Sequence, residues 1–365
     1  MTSASSPQNR RQVVLRPTFR RAVLAGLLSL FLLPKVWATP LPQARNALQI
    51  YFIDVEGGQA TLFVTPGGQS LLIDTGWPGN DGRDADRIVA AAREAAINKI
   101  DFVLVTHFHQ DHAGGLTQLA ARIPIGRLID HGDNREHTDP PTEQAWQDYQ
   151  RLLAKKNLKR MIGKPGDVLP IPDIEAKVIS SDGALIELPL PGAGGVNPSC
   201  TTSEQRATDQ TENPRSLGTI IKFGKLRILD LGDLTWDKEM ELVCPVNKLG
   251  PVDIYIVSHH GSSQSNSPAL LNGITPRVAI MDNGATKGGS RSSWNIIEKS
   301  PRLEDLWQLH FSSKGGTAHN VAERFIANLP GPDAGNYLRL SAWPDGSFDV
   351  FNSRTKITKH YAAAH

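Results

Sequence analysis

Residues 100–112 read Ile-Asp-Phe-Val-Leu-Val-Thr-His-Phe-His-Gln-Asp-His, an apolar run that delivers three imidazoles and a carboxylate within six positions. A run this rich in Val, Leu and Ile is expected to form a buried strand, so the polar groups that follow must lie where that strand leaves the core. An alternating His107-x-His109 on extended backbone points both rings to one side, and Asp111 and His112 then turn toward a neighbouring position. Neutral imidazole and carboxylate are the usual ligands of zinc. A lone histidine here would read as a surface or core residue. Four ligand-type residues between a strand and the turn-like Ala113-Gly114-Gly115 instead read as a metal site, for two metals.

Two further apolar segments end the same way. Residues 226–231 lead into Gly232-Asp233, and residues 254–257 lead into Ser258-His259-His260-Gly261-Ser262. Asp233 is placed to bridge two ions. Of an adjacent histidine pair only one ring easily faces a site, and His260, beside Gly261, is the expected ligand. His259 is left to orient a ligand or touch substrate. In α/β architectures the ends of buried strands are where sites are built.

The 365 residues, 39% of them hydrophobic, suffice for one large domain or two modest ones with filled cores. Segments 49–55, 60–64 and 70–74 are β-rich and separated by glycine-containing turns. Residues 84–96 carry Ile88, Val89, Ala92 and Ala96 at helical spacing, and the strand 100–105 follows, giving a β-β-β-α-β order. Residues 116–121 look helical, 127–130 extended, and 144–156 an exposed helix capped near Thr142, with loop character at 163–166. Residues 189–214 are rich in Pro, Gly, Ser, Thr and Asn. They read either as a long loop beside the binding site or as a disordered insertion. A second β/α half then begins with strands at 217–223 and 226–231 and a helix near 236–243.

The first 38 residues hold Arg10, Arg11, Arg16, Arg20, Arg21 and Lys35 and no acid, then the apolar run 22–33 and the small-residue exit Val36-Trp37-Ala38. This reads as a secretory signal cleaved after about Ala38, of the general or the twin-arginine type. The run falls short of the ~20 residues of a spanning helix, so no stable membrane span is expected after cleavage. Removing those six bases leaves 33 basic against 37 acidic residues. Net charge therefore gives no support for nucleic-acid affinity of the mature surface. Cys200 and Cys244 lie in no C-x-x-C pair and are not expected to bind metal. In an oxidising compartment they either pair or remain two buried thiols.

These motifs resemble the metallo-beta-lactamase-fold superfamily and, within it, the soluble hydrolase domain of ComEC-type competence proteins. The matching stretches are Phe52-Ile53-Asp54-Val55, Leu72-Ile73-Asp74-Thr75-Gly76, the H-x-H-x-D-H run, residues 213–216, Leu231-Gly232-Asp233 and His259-His260-Gly261-Ser262. The resemblance implies an α/β fold: a four-layer αβ/βα sandwich, two mixed sheets face to face with helices outside, formed by residues 39–365 as a single domain. It assigns metal one to His107 and His109, metal two to Asp111, His112 and His260, and the bridge to Asp233. Asp74 is similar to an aspartate that supports the metal-binding loop. Many members place one more histidine before the bridging aspartate, and here His131 and His137 are the candidates. The competence-type pattern has Asn and Ser instead, which makes Asn213 and Ser216 residues that shape the site.

The chain also departs from the pattern. The competence-type turn Asp-Val-Gly-Gln-Gly-Asp is replaced by Asp54-Val55-Glu56-Gly57-Gly58-Gln59, without the second acid. The later Asn and His-Pro signature is reduced to Asn283-Gly284 followed by Lys287-Gly288-Gly289. Lys287 either holds an anionic substrate group or sits in a surface turn. His310 is either a proton donor near the site or a satisfied core histidine.

Two divalent ions ~4 Å apart lower the pKa of a water enough to supply a nucleophile near neutral pH and polarise the bond under attack. Asp111 or Asp233 is the expected proton acceptor. The expectation is an exported hydrolase with two zinc ions, or manganese in their place, acting on a phosphodiester-type substrate. Amide or ester hydrolysis, of the lactamase or lactonase kind, is the alternative enzyme reading. A non-catalytic binding protein stabilised by its metals is the alternative from a different class. A small molecule or a nucleic acid remains open as the phosphodiester substrate, and oligomeric state is unassigned.

Overall fold

The computed structural model describes residues 46–364; the expected export signal, residues 1–38, lies outside them. The first half of the described chain runs β1 (Leu48–Phe52), β2 (Thr61–Val64), β3 (Ser70–Ile73), α1 (Arg83–Glu94), β4 (Ile100–Leu104), α2 (Gln110–Ala113), α3 (Leu116–Ala120), β5 (Ile125–Asp130), α4 (Pro140–Lys156) and β6 (Lys159–Ile162). The second runs β7 (Val168–Leu169), β8 (Glu175–Ser181), β9 (Ala184–Leu185), β10 (Gly218–Phe223), β11 (Leu226–Asp230), α5 (Trp236–Val243), β12 (Ile254–Ile256), α6 (Pro268–Ile274), β13 (Val278–Met281), α7 (Arg291–Glu298), β14 (Asp305–His310) and β15 (Ile326–Asn328). The hairpins β16 (Leu338–Ala342), β17 (Phe348–Asn352) and β18 (Thr358–Tyr361) close the chain back onto the first half.

Two sheets result. One has the order β18-β17-β16-β1-β2-β3-β4-β5-β6, the other β15-β14-β13-β12-β11-β10-β8-β7 with β9 on β8. Each is mixed: β3 to β6 are parallel in the first and β11 to β15 in the second, while the hairpin strands are antiparallel.

The layering follows from side-chain alternation. Successive residues of a strand face opposite ways, and in central strands such as β3, β12 and β13 both faces are covered and every residue is buried. Leu48, Ile50 and Phe52 of β1, Leu71 and Ile73 of β3, Ile228 of β11, Ile254 and Ile256 of β12, and Ile280 of β13 fill one core between the sheets. The intervening Tyr51, Leu72 and Val103 face outward to a second core with Ile88, Ala92, Leu119, Trp146 and Tyr149 of α1, α3 and α4. On the other sheet, Leu229, Tyr255 and Ala279 meet Met240, Leu270 and Ile297 of α5, α6 and α7. Helix, sheet, sheet, helix is the αβ/βα sandwich implied by the motifs.

Helix α4 begins earlier than its apolar spacing suggests. Asp139, not Thr142, is the cap, its carboxylate accepting from Thr142 N, with Pro140-Pro141 in the first turn, where a missing N–H is harmless. Residues 189–214 hold short 3-10 turns at Pro198–Thr201 and Asn213–Arg215 and an isolated bridge from Val196 to Val246, but no helix or strand longer than these. They are tied to the segment after α5 by Leu190 N to Lys248 O, Asn197 N to Pro245 O and a Cys200–Cys244 disulfide. Among the described residues, no helix is long and apolar enough to cross a membrane.

Because β3 to β5 and β11 to β14 are parallel within their sheets, each set of strands ends together, and their C-terminal ends release Asp74, the 106–112 run, His131, Asp233, the 258–261 turn and Asp282.

Candidate metal centre

Asp74 leaves β3 with a positive φ of 59°, fully buried. Its carboxylate accepts from Thr106 N at 2.8 Å and Thr106 Oγ1 at 2.7 Å, pinning the start of the histidine run, and lies 2.7 Å from His112 Nδ1. His109 is the N-terminal cap of the four-residue α2, which swings Asp111 and His112 back into the molecule. Backbone packing is tight here: a Cβ on Gly58 would stand 2.3 Å from Asp111 O, and one on Gly232, at φ 55°, would stand 2.9 Å from Thr106 Cβ. Glycine lets the segment carrying Asp233 approach the first run that closely.

Four donors converge. Oxygen or nitrogen atoms of Asp111, His112, Asp233 and His260 lie within 4.8 Å of one another, all buried. His112 Nε2 is 3.2 Å from Asp111 Oδ2, from Asp233 Oδ1 and from His260 Nε2, and His260 Nε2 is 3.1 Å from Asp111 Oδ2 and 3.4 Å from Asp233 Oδ1. Beside them His107 Nε2 faces His109 Nδ1 at 3.0 Å. Asp233 turns its other oxygen to His259 Nε2 at 3.4 Å. The turn bearing His259 and His260 places both at positive φ, 55° and 53°, a costly conformation for residues with a Cβ. Tyr255 OH holds it, donating to Asn266 Oδ1 at 2.9 Å and standing 2.8 Å from the Ser258 hydroxyl, which can donate to it, while Asn266 Nδ2 donates to Ser258 O at 3.0 Å.

The electrostatics call for cations. Despite burial, the Lys287 ammonium and His112 hold the Asp111 carboxyl well below its usual range; His112, His259 and His260 do the same for Asp233 against the same opposing burial. In turn, and again against burial, Asp233, Asp111 and Asp74 drive His112 well above its normal range, and Asp233 helps raise His260 to about 10. Burial, reinforced by His112 and His109, pushes His107 well below, and burial lowers His259 to about 4. Protons and the Lys287 ammonium thus occupy the role of positive charge between two buried carboxylates. Asp233 Oδ1 nevertheless lies in no hydrogen bond. Two imidazole nitrogens ~2.1 Å from one tetrahedral ion stand about 3.4 Å apart, close to the His112–His260 spacing, so the donor set fits divalent ions. Position two would be held by Asp111, His112, Asp233 and His260, and position one by His107 Nε2, His109 Nδ1 and Asp233.

The histidines are backed by carboxylates. His112 has Asp74; His109 Nε2 lies 3.0 Å from Glu136 Oε2; His260 Nδ1 lies 3.4 Å from Asp282 Oδ1. Such partners fix the ring and strengthen the ligand. Ser216 Oγ accepts from Asp233 N at 3.2 Å and lies 3.5 Å from His107 Nδ1, beside the donor group. Lys287 reaches Asp111 Oδ2 in an ion pair and sits 4.9 Å over the Trp77 ring.

Other expected residues stand elsewhere. His131 Nε2 is 2.9 Å from the buried Glu212, its ring packed on Phe108, so it props the run from behind. His137 is exposed and paired with Glu143. Neither joins the donor group. The Asn213 amide is buried with its oxygen unpartnered. His310 belongs to a separate cluster, its Nε2 2.6 Å from Asp54 Oδ1, with Arg87 Nη1 2.9 Å from the same carboxylate; it is a satisfied buried histidine rather than part of the donor group. Glu136, Glu212 and Asp282 were not anticipated. Of these only Asp282 carried a signal, following the apolar run 278–281.

Comparison with known proteins matches residues 54–202 to the metallo-beta-lactamase superfamily. The chain is similar to recombination protein 2 of Haemophilus influenzae, 23% identical over 357 residues, covering 97% of this chain and 35% of that protein. It is similar to ComE operon protein 3 of Bacillus subtilis, 27% identical over 189 residues, covering 52% of this chain and 20% of that protein. It therefore spans about a third of the length of the first of these relatives or less. Among solved structures it matches the metallo-beta-lactamase fold protein YhfI from Bacillus subtilis, at 14% identity and a TM-score of 0.43, over 72% of this chain and 95% of that one.

Proposed function

This chain carries a metallo-beta-lactamase superfamily domain, and from that premise we propose that it is a metal-dependent hydrolase with two ions, zinc or manganese, acting on phosphodiester-type substrates. The observation that carries the reading is the meeting of Asp111, His112, Asp233 and His260, delivered by three separate strand ends, beside the facing pair His107 and His109. When bound, divalent ions at these positions activate water as a nucleophile and polarise the bond under attack.

The chain's own groups supply the rest. Asp233, whose Oδ1 stands beside His112 and His260, would with Asp111 be the acceptor for the proton of the attacking water. Asp74, Glu136 and Asp282 aim the imidazoles. Lys287, partly exposed beside Asp111, is a cation placed for an anionic oxygen of the substrate. That cation, together with a relative named recombination protein 2, favours a phosphodiester over a neutral amide or ester. The basic and then apolar composition of residues 1–38 supports export, with residues 39–365 as the hydrolase domain.

The test is metal analysis of the purified chain, paired with hydrolysis of bis-p-nitrophenyl phosphate, nitrocefin and a lactone. The proposal expects about two equivalents of metal and turnover of the phosphodiester alone. Turnover of nitrocefin or lactone without phosphodiester would transfer the chain to the amide or ester reading, and absence of bound metal would reject both.

A further inference from the structure

Position one is the more sparsely furnished of the two. His107 Nε2 and His109 Nδ1 face each other there, whereas four donors surround position two. Its strength therefore depends on how firmly the two imidazoles are aimed. His107 is sealed in the interior, but the His109 side chain is 22% exposed and stands at the very start of α2.

What holds His109 from behind is Glu136. Its Oε2 lies 3.0 Å from His109 Nε2 and also accepts from Glu212 N at 2.9 Å. A carboxylate only accepts, so Nε2 carries the ring proton and Nδ1, the atom facing His107, keeps its lone pair free. Glu136 is itself fixed, its N–H donating to Asn134 Oδ1 at 2.9 Å and its carbonyl accepting from Asn134 Nδ2 at 3.1 Å. Glu212, fully buried, accepts from Phe108 N at 3.1 Å and from Arg135 N, and meets His131. Backbone and ring of the Phe108-His109 pair are thus held by two carboxylates, one from the loop after β5 and one from the end of the 189–214 segment.

We propose that Glu136 is a positioning residue for His109 and sets the metal affinity of position one while leaving position two unchanged. This rests on the two-ion reading above. The experiment is a zinc titration of the metal-free full chain against a competing chelator, in the wild type, Glu136→Ala and Glu136→Gln.

Two equivalents are expected in the wild type. In Glu136→Ala the first is held as before and the second is weakened about 10- to 100-fold, the usual cost of losing a partner behind a ligand. Glu136→Gln retains an acceptor without the charge and should fall between. If both equivalents bind the alanine variant as tightly as the wild type, or both weaken alike, the assignment is overturned; the second result would mark a fold-wide effect. Should the alanine variant not fold, the glutamine variant is read by the same criteria. A wild-type chain that takes up only one equivalent overturns the two-ion reading itself and the assignment with it.

Discussion

His112 spans two carboxylate environments: its Nδ1 is 2.7 Å from Asp74 Oδ2, and its Nε2 is 3.2 Å from both Asp111 and Asp233. Asp74→Asn preserves shape but removes the charge that orients the ring. Zinc affinity at position two should fall about 10- to 100-fold, and the metal-free chain should lose roughly 1–3 kcal/mol because Thr106 and His112 are left poorly paired in the interior. Chelator competition and thermal melting measure the two effects. Unchanged zinc affinity would show that Asp74 has no hold on the metal.

Asp233 and His109 come from different sheets and touch different parts of the centre. Asp233→Asn and His109→Ala should each abolish hydrolysis while the chain stays folded, its circular dichroism close to that of the wild type. Retained turnover in both variants would reject the mechanism.

Removing metal should destabilise the fold, because Asp111 and Asp233 are then left to protons and Lys287 for compensation. Binding to the folded state alone stabilises by about 4 kcal/mol at a thousandfold excess of free metal over its dissociation constant. A chelator should lower the melting temperature, and added zinc should restore it. An identical transition with and without metal would mean that no ion is held.

Asp230, at the end of β11 and fully buried, is raised to about 7, chiefly by burial and further by Asp74 and Asp282, against hydrogen bonds from Gly232 N and Gln59. Unfolded, it would titrate near 4. A raised folded value means that its stabilising contribution is complete below about pH 4 and is lost as pH climbs through about 7, a change on the order of 2–4 kcal/mol. Asp230→Asn should flatten the fall in stability of the metal-free chain between about pH 4 and pH 7, followed by urea unfolding. An equally steep fall in the variant would exclude Asp230 as its source.

Much of the first half was legible because its signals are local. The strands at β1 to β4 and helix α1 fall within a few residues of their apolar patterns, and the histidine run emerged where the strand 100–105 ended. Asp233 and His260 were legible for the same reason. The helix start at Pro140 was missed because Asp139, not the first periodic residue, caps it. The strands β16 to β18 were not read at all; they join the sheet through β16, which pairs with β1 across nearly three hundred residues. Glu136 and Glu212 escaped likewise. Neither follows an apolar run, and their meaning arises only when the loop after β5 meets the segment before β10.

Position two joins Asp111 and His112 from the earlier part of the chain to Asp233 and His260 from the later part, through a glycine that allows no side chain between them. Fragments cleaved between the two parts would each hold an incomplete ligand set, and a chain whose sheets had not docked would bind no better. Retention of a tightly held ion is therefore a chemical record of finished assembly: it separates mature molecules from those still compact but unassembled.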